Sequence, residues 1–265
     1  MIRVCIAGAT GWAGRALAAA VLQAQDLELV SAVARTTAGA DLGEALGGAR
    51  LGLLVSATVD EALAEGVDVM VDYTSHAAVE SNVRAAIERG VSVVVGSSGL
   101  TAEALRAIDV LAREHGVGVI AAGNFSITAA LAQASALLAA KYLPTVEVID
   151  YADAAKPDAP SGTARELADR LADSGASSTP VAPDVDAVNR AARGAEVGHV
   201  RVHSVRLPGY TLSTEIVFGQ IGERLTIRHD AGSSAEPYIA GTLLAIRRVA
   251  GRVGLTRGLD TLLTE

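Results

Sequence analysis

A glycine-rich turn between an apolar strand and a helix is the feature that most limits how this chain can fold. The apolar run covers residues 2–7, and the turn that follows reads Gly8-Ala-Thr-Gly11-Trp-Ala-Gly14, a G-x-x-G-x-x-G spacing. Glycines let the backbone approach a pyrophosphate, and the start of the next helix offers N–H donors and positive potential. Because the turn begins a strand–helix–strand unit, it predicts a dinucleotide-binding domain.

Short apolar runs alternate with helical periodicity as far as about residue 124. Continuous apolar runs between helices are typical of a parallel sheet that is covered on both faces. A second pattern follows, in which an amphipathic helix after Gly162 precedes a loop at 174–197. Turn residues then separate three strands and predict an antiparallel meander at about 200–206, 211–218 and 224–229.

These patterns predict an α/β fold with two domains. An N-terminal Rossmann-type dinucleotide-binding domain covers residues 1–124, and residues 236–265 complete it because the last helix and tail are expected to return there. Residues 125–235 are predicted to form an α+β domain with an open mixed sheet, which binds substrate and carries oligomerisation.

The composition excludes several classes of protein. The 265 residues carry a net charge of −8 without a basic cluster, so nucleic acid is not an expected partner. Neither a membrane-spanning apolar run nor a signal-peptide pattern is expected. The single cysteine, Cys5, cannot form an internal disulfide, and we therefore expect a cytoplasmic protein. The five histidines have no metal-ligand spacing, and no metal is predicted.

The end of the second strand bears on the choice of cofactor. Arg35 lies where NAD-binding domains carry an acidic residue, and an arginine there can meet the 2′-phosphate of NADPH. NADPH is therefore the predicted cofactor, with NADH as the alternative if Arg35 is only a solvated loop residue. Two turns at the ends of later strands complete the set. The predicted cofactor-binding residues are Gly8, Ala9, Thr10, Gly11, Trp12, Ala13, Arg35, Gly96, Ser97, Ser98, Ala122, Gly123, Asn124 and Phe125.

The segment Lys156-Pro-Asp-Ala-Pro-Ser-Gly-Thr163 stands directly before a helix. A lysine beside a helix N-terminus suits a small anion, most simply a substrate carboxylate. We predict that Lys156, Ser161, Gly162 and Thr163 bind it, and that Lys156 can also deliver a proton. Thr163 has an alternative role, because Thr163-x-x-Glu166 is a capping box.

Two further residues are candidates for the catalytic acid. Tyr151 and Asp153 precede Lys156 and carry groups that can release a proton. The alternative is that both are ordinary polar residues at the end of a strand. A proton donor must reach its target within hydrogen-bond distance, and this spacing leaves Lys156, Asp153 and Tyr151 all open as catalytic residues.

Taken together, these segments resemble the dihydrodipicolinate reductase family. The resemblance covers essentially the whole chain, and its carriers are Gly8–Gly14, 71–74, 96–99, 123–126, 158–163, 203–209 and 222–229. It implies a Rossmann domain, a substrate domain with a mixed sheet, and tetramers built through those sheets. It also implies hydride transfer from NAD(P)H to a cyclic, α,β-unsaturated imine that bears carboxylates.

The chain departs from this family at one place. The family carries two adjacent histidines shortly before its lysine, one regarded as the proton donor and one as a carboxylate ligand. Ala152 and Asp153 stand at those positions here. Alanine does no acid–base chemistry, and an aspartate within about 4 Å of a carboxylate would repel it by several kcal/mol at low dielectric.

The sequence therefore predicts an NAD(P)H-dependent reductase of a small carboxylated cyclic imine. Its substrate is either the lysine-pathway intermediate of the family or a related imine. Two alternatives stay open at this point: a catalytically silent NADPH-binding sensor or scaffold, and an amino-acid dehydrogenase that acts on a compound such as aspartate.

Overall fold

Two compact units make up the chain. A computed structural model describes residues 1–263 and 265. The first unit comprises residues 1–127, 235–263 and 265, and the second comprises residues 128–234. Across the described residues, no helix combines the length and the apolar character that crossing a membrane requires.

The elements alternate in the first part of the chain and then change pattern. The strands are β1 (Ile2–Ala7), β2 (Leu27–Val33), β3 (Val55–Ser56), β4 (Val69–Asp72), β5 (Ser92–Val95), β6 (Gly118–Ala121), β7 (Val146–Ala152), β8 (Ala195–Val197), β9 (Val200–Arg206), β10 (Leu212–Gln220), β11 (Glu223–Ala231) and β12 (Gly254–Arg257). The α-helices are α1 (Trp12–Gln23), α2 (Leu42–Ala45), α3 (Val59–Ala62), α4 (Val79–Ile87), α5 (Ala102–His115), α6 (Ile127–Ala140), α7 (Gly162–Asp173), α8 (Ala187–Ala191) and α9 (Glu236–Val249).

The first unit is built on a seven-stranded sheet in the order β12-β6-β5-β4-β1-β2-β3. Its strands pair in parallel, which confirms the predicted Rossmann-type sheet. Every residue of β4 and β5 is buried, as expected for strands with both faces covered. The strand order reverses between β1 and β4, and ligands bind open parallel sheets at such a switch point.

The second unit is built on a five-stranded mixed sheet in the order β11-β10-β7-β9-β8. Among the described strands of this sheet, only β7 and β9 pair in parallel. The mixed sheet confirms the predicted fold class, but the predicted meander is wrong. β7 lies between β9 and β10, so only β10 and β11 form the expected hairpin. Turn residues indicate where a chain reverses, and they do not indicate which strand it pairs with.

The predicted loop at 174–197 is wrong in part, because it contains α8 and the short edge strand β8. β7 alternates strictly between buried and half-buried residues, so its two faces differ. The buried face carries Val146 and Val148, which pack in one cluster with Leu167 and Leu171 of α7. Asp150 lies on that same face and is fully buried.

Candidate functional site

The glycine turn fits tightly against the end of β4. Gly8 has a φ of +86°, and a Cβ on it would lie 2.2 Å from the carbonyl oxygen of Tyr73. A Cβ on Gly14 would lie 2.1 Å from the carbonyl oxygen of Gly8. α1 begins at Trp12, and no side chain among the described residues caps it. The turn therefore has the close packing and the uncapped helix N-terminus that a pyrophosphate needs.

A buried carboxylate connects the end of β4 to the turn after β5. Asp72 accepts hydrogen bonds from the hydroxyls of Thr74 (2.8 Å) and Ser97 (2.5 Å) and from the Asn82 amide (2.8 Å). Neighbouring Tyr73 bonds to the Thr242 hydroxyl at 2.6 Å, and burial raises the pKa of its phenol to about 12. Asp72 thus fixes the turn that contains Ser97, a role that sequence reasoning missed although residues 71–74 carried the family resemblance.

The other predicted cofactor residues follow β5 and β6. A Cβ on Gly96 would meet the Tyr73 ring at 2.1 Å, so this position accepts only glycine. Phe125 is buried and contacts Tyr73 edge-on, with ring centroids 6.3 Å apart. Ser98 and Gly123 are exposed. The structure therefore gathers the turns after β1, β5 and β6 at one edge of the sheet.

Arg35 lies two residues beyond β2 and is exposed. Within the described part of the chain its guanidinium makes no hydrogen bond or ion pair. The hydroxyl of Thr37 lies 3.5 Å from that of Thr10, which brings this loop beside the glycine turn. An unpaired arginine next to such a turn can bind a phosphate.

In the second unit, Lys156 faces a carboxylate of its own chain. Its Nζ lies 2.8 Å from Oδ1 of Asp158, and the Gly162 N–H at the start of α7 donates to the same carboxylate. Burial is the largest single effect on Asp158 and opposes its ionisation, but the hydrogen bond and the charge of Lys156, together with backbone N–H donors, outweigh it and lower the pKa. Lys156 and the N-terminus of α7 thus converge on one anion. We call this arrangement the anion cradle.

The capping residue of α7 is Ser161, which corrects the predicted capping box. Ser161 is the N-cap, and its hydroxyl accepts a hydrogen bond from the Ala164 N–H at 3.3 Å. Thr163 lies inside the first turn instead. The hydroxyl and the N–H of Ser161 both donate to the buried carboxylate of Asp150, at 2.7 and 2.8 Å. The geometry therefore favours a structural role for this side chain over the predicted contact with substrate.

A second buried contact holds the cradle from β9. Nη2 of Arg206 donates to Oδ2 of Asp150 at 2.7 Å and to the carbonyl oxygen of Asp158 at 2.6 Å. Ser204 adds a weaker contact to Asp150 at 3.3 Å. Sequence reasoning missed these roles, although both family-specific segments, 158–163 and 203–209, were recognised. Their contact through Asp150 explains why the two segments occur together.

The two alternative acids lie in different places. Tyr151 is on the opposite face of β7 from Asp150, and its hydroxyl donates to Glu215 at 3.1 Å. Burial and the Glu215 carboxylate raise its phenolic pKa, which makes it a weaker acid. Asp153 is exposed and uses Oδ1 to accept the Ala155 N–H at 2.9 Å. Only Asp153 adjoins Lys156, whose N–H donates to its backbone carbonyl.

Comparison with known proteins assigns the chain to a family. Models described as the N-terminus and the C-terminus of dihydrodipicolinate reductase match residues 2–125 and 123–263. The chain belongs to the dihydrodipicolinate reductase family. The 4-hydroxy-tetrahydrodipicolinate reductase of Thermosynechococcus vestitus is 41% identical over 99% of this chain and 97% of its own. That of Moorella thermoacetica is 39% identical over 99% and 98%.

A solved structure gives the same result. The dipicolinate-bound dihydrodipicolinate reductase of Paenisporosarcina sp. TG-14 has a TM-score of 0.78 at 32% identity, over 98% of this chain and 99% of that one. An amine dehydrogenase from Mycobacterium smegmatis, at 18% identity and a TM-score of 0.68, shares the fold alone. The dihydrodipicolinate reductase family consists of NAD(P)H-dependent oxidoreductases, so the enzyme class and the use of a reduced nicotinamide follow from membership.

Proposed function

We propose that this protein uses NADPH to reduce the C=N or conjugated C=C–C=N group of a small carboxylated cyclic imine. The observation that carries the proposal is the anion cradle, in which Lys156 and the Gly162 N–H already hold one carboxylate. A substrate carboxylate meets the same two donors. The bound nicotinamide supplies the hydride, and the protein supplies orientation and charge.

The first unit holds the cofactor in this proposal. The uncapped N–H groups at the start of α1 bind the pyrophosphate, and the glycines at positions 8, 11 and 14 let it approach. Arg35 binds the 2′-phosphate. The support for NADPH over NADH is the unpaired guanidinium of Arg35 and the absence of a carboxylate in Val33-Ala34-Arg35, where an NAD-binding domain would have one.

The Lys156 ammonium provides the proton in this proposal. It replaces the family's histidine, because Ala152 is fully buried and has no titratable group. By the family resemblance, Asp153 corresponds to the second histidine, with which the family binds an anion. This change favours a related imine over 4-hydroxy-tetrahydrodipicolinate, the substrate named for the relatives.

An NADPH-oxidation assay tests the proposal. We expect turnover with at least one member of a panel of cyclic imino acids that includes 4-hydroxy-tetrahydrodipicolinate. Lys156→Ala should abolish this turnover, because the cradle loses the positive charge that binds the substrate carboxylate. Lys141→Ala is the matched control, since Lys141 and Lys156 are the two lysines of the chain and Lys141 is exposed. Equal loss in both variants, or none in either, contradicts the role of the cradle.

Arg35→Ala tests the cofactor preference. We expect the ratio of kcat/KM for NADPH to that for NADH to fall about 10- to 100-fold, because a hydrogen-bonded charge contributes about 1.5–3 kcal/mol. Steady-state kinetics with both cofactors measures the ratio. Arg106→Ala, an exposed arginine on α5, is the control. An unchanged ratio would remove Arg35 from the cofactor site.

Ala152 favours a second candidate function, a catalytically silent NADPH-binding sensor. Such a protein keeps the glycine turn that binds the cofactor but has no residue that can donate the catalytic proton. It would bind NADPH with micromolar affinity and turn over neither an imine nor, with NADP⁺, an amino acid. The panel of imino acids therefore separates the two functions. A second assay, with NADP⁺ and amino acids such as aspartate, tests for an amino-acid dehydrogenase.

A further inference from the structure

Asp158 stands where the proposed function needs a ligand. Lys156 and Asp158 are two residues apart in an irregular segment, and their charged groups lie 2.8 Å from each other. Their side chains are 33% and 36% exposed, so a ligand in solution can reach both. The Lys156–Asp158 pair has no net charge. The donors that would recognise a substrate anion already bind the Asp158 carboxylate.

The Asp158 backbone is fixed independently of its side chain. Its carbonyl oxygen accepts from Arg206 at 2.6 Å, and Arg206 is anchored to the buried carboxylate of Asp150. The Asp158 carboxylate is therefore present at the cradle at a high effective concentration, because only side-chain rotation separates it from Lys156. Rotation away from Lys156 leaves this backbone contact intact.

We propose that Asp158 sets the affinity threshold of the anion cradle by acting as its built-in competitor. A ligand carboxylate binds by exchanging with the Asp158 carboxylate, which swings into solvent. The apparent affinity for any anion is then reduced by the fraction of molecules in which the cradle is closed. A simple anion such as acetate has only the two donors of the cradle and binds too weakly to displace Asp158, whereas a dicarboxylate that makes further contacts outcompetes it. This inference rests on the proposed function.

Asp158→Asn tests the exchange. The amide oxygen can still accept the Gly162 N–H, so the turn is kept while the negative charge is removed. Exposed ion pairs and charge-assisted hydrogen bonds have modest strengths, and we expect acetate and dipicolinate to bind about three- to tenfold more tightly. Acetate and dipicolinate should gain by the same factor, because the closed fraction lowers the apparent affinity for every anion equally. Isothermal titration calorimetry on the full chain measures both dissociation constants.

Two further variants control the measurement. Asp173→Asn makes the same change in net charge at the other end of α7, where Asp173 is exposed, and should leave both constants unchanged. Asp158→Glu restores the carboxylate and should restore weak acetate binding. Thermal unfolding monitored by circular dichroism verifies that each variant is folded.

The outcomes separate the inference from the function on which it rests. If Lys156→Ala binds dipicolinate as tightly as the unaltered protein, the cradle is not the anion site and the proposed function fails. If Lys156→Ala weakens binding but Asp158→Asn leaves it unchanged or weakens it in a folded protein, the function stands. In that case Asp158 only contributes to the structure of the cradle, and the proposal that it competes with the ligand is overturned.

Discussion

Arg206 shows how one residue can fix a site that it does not enter. It lies on β9, yet its guanidinium joins the carboxylate of Asp150 to the backbone of Asp158. Its side chain is 15% exposed and that of Asp150 is fully buried. Removing one partner of such a pair leaves a buried charge without compensation. Arg206 should therefore matter both to stability and to the position of Lys156.

We predict that Arg206→Ala lowers the free energy of unfolding by about 3 kcal/mol or more, as expected when a buried ion pair loses one partner. Urea unfolding followed by circular dichroism measures the change. Arg165→Ala removes an exposed arginine of α7 and should shift the unfolding free energy by less than about 0.5 kcal/mol. A loss of less than about 0.5 kcal/mol in both variants would show that the Asp150 contact contributes little.

The residues of the cradle could be predicted from the sequence only where they belong to a recognisable motif. Lys156 and Gly162 stand beside a recognisable helix start, and the structure brings them onto one carboxylate. The role of Ser161 was not predictable, since both Ser161 and Thr163 are good capping residues and backbone conformation decides between them. Ser161 has the extended ψ of 159° that an N-cap needs. Asp150 was missed because its partners come from two later segments.

At the scale of elements, α1 packs tightly against the glycine turn. Gly14 is buried in the first turn of α1, and the space for a Cβ is filled by the Gly8 carbonyl. Any larger residue must shift the helix away from the turn. Because the N–H groups of α1 are the proposed pyrophosphate donors, such a shift should weaken cofactor binding rather than only destabilise the fold.

Gly14→Ala is therefore expected to raise the NADPH dissociation constant about tenfold or more, since displacing packed atoms costs about 1–3 kcal/mol. Trp12 reports the binding, because it is the only tryptophan, is exposed and begins α1. Gly48→Ala is the control, since a Cβ there has its nearest contact at an ordinary 3.7 Å. Equal fluorescence titrations for the two variants would contradict the proposed binding mode.

Elements whose sequence signal is local were predicted, whereas pairings between segments far apart in sequence were not. The strands of the first sheet were predicted because continuous apolar runs between helices leave few alternatives. The position of β7 between β9 and β10 was not, because strand pairing joins residues far apart in sequence. The register that pairs Ile149 with both His203 and Glu215 illustrates this: those partners lie on opposite sides of β7 and come from two later strands.

At the scale of the whole molecule, the five-stranded sheet has a face that its own unit leaves partly uncovered. Ile149, Val205 and Val217 lie on the face opposite the one packed against α7, and each is only half-buried. Apolar side chains in such a position are typical of a surface that another chain covers. This agrees with the expected tetramer, which remains a prediction.

We predict that the protein assembles as a homotetramer and that Val217→Asp lowers its mass in solution, because a charge would be buried at the interface. Light scattering coupled to size-exclusion chromatography measures the mass. Val188→Asp places the same charge on α8, where Val188 is 79% exposed, and should leave the mass unchanged. A monomeric wild-type protein would contradict the prediction.

Transfer of an isotope label tests the central claim most directly. NADPH that carries deuterium at the transferable position of the nicotinamide is incubated with the imine that the panel identifies, and the product is analysed by mass spectrometry. The account predicts one deuterium in the product with the unaltered protein and with Lys141→Ala, and none with a folded Lys156→Ala. Undiminished deuterium transfer by Lys156→Ala would show that Lys156 does not bind the imine that is reduced.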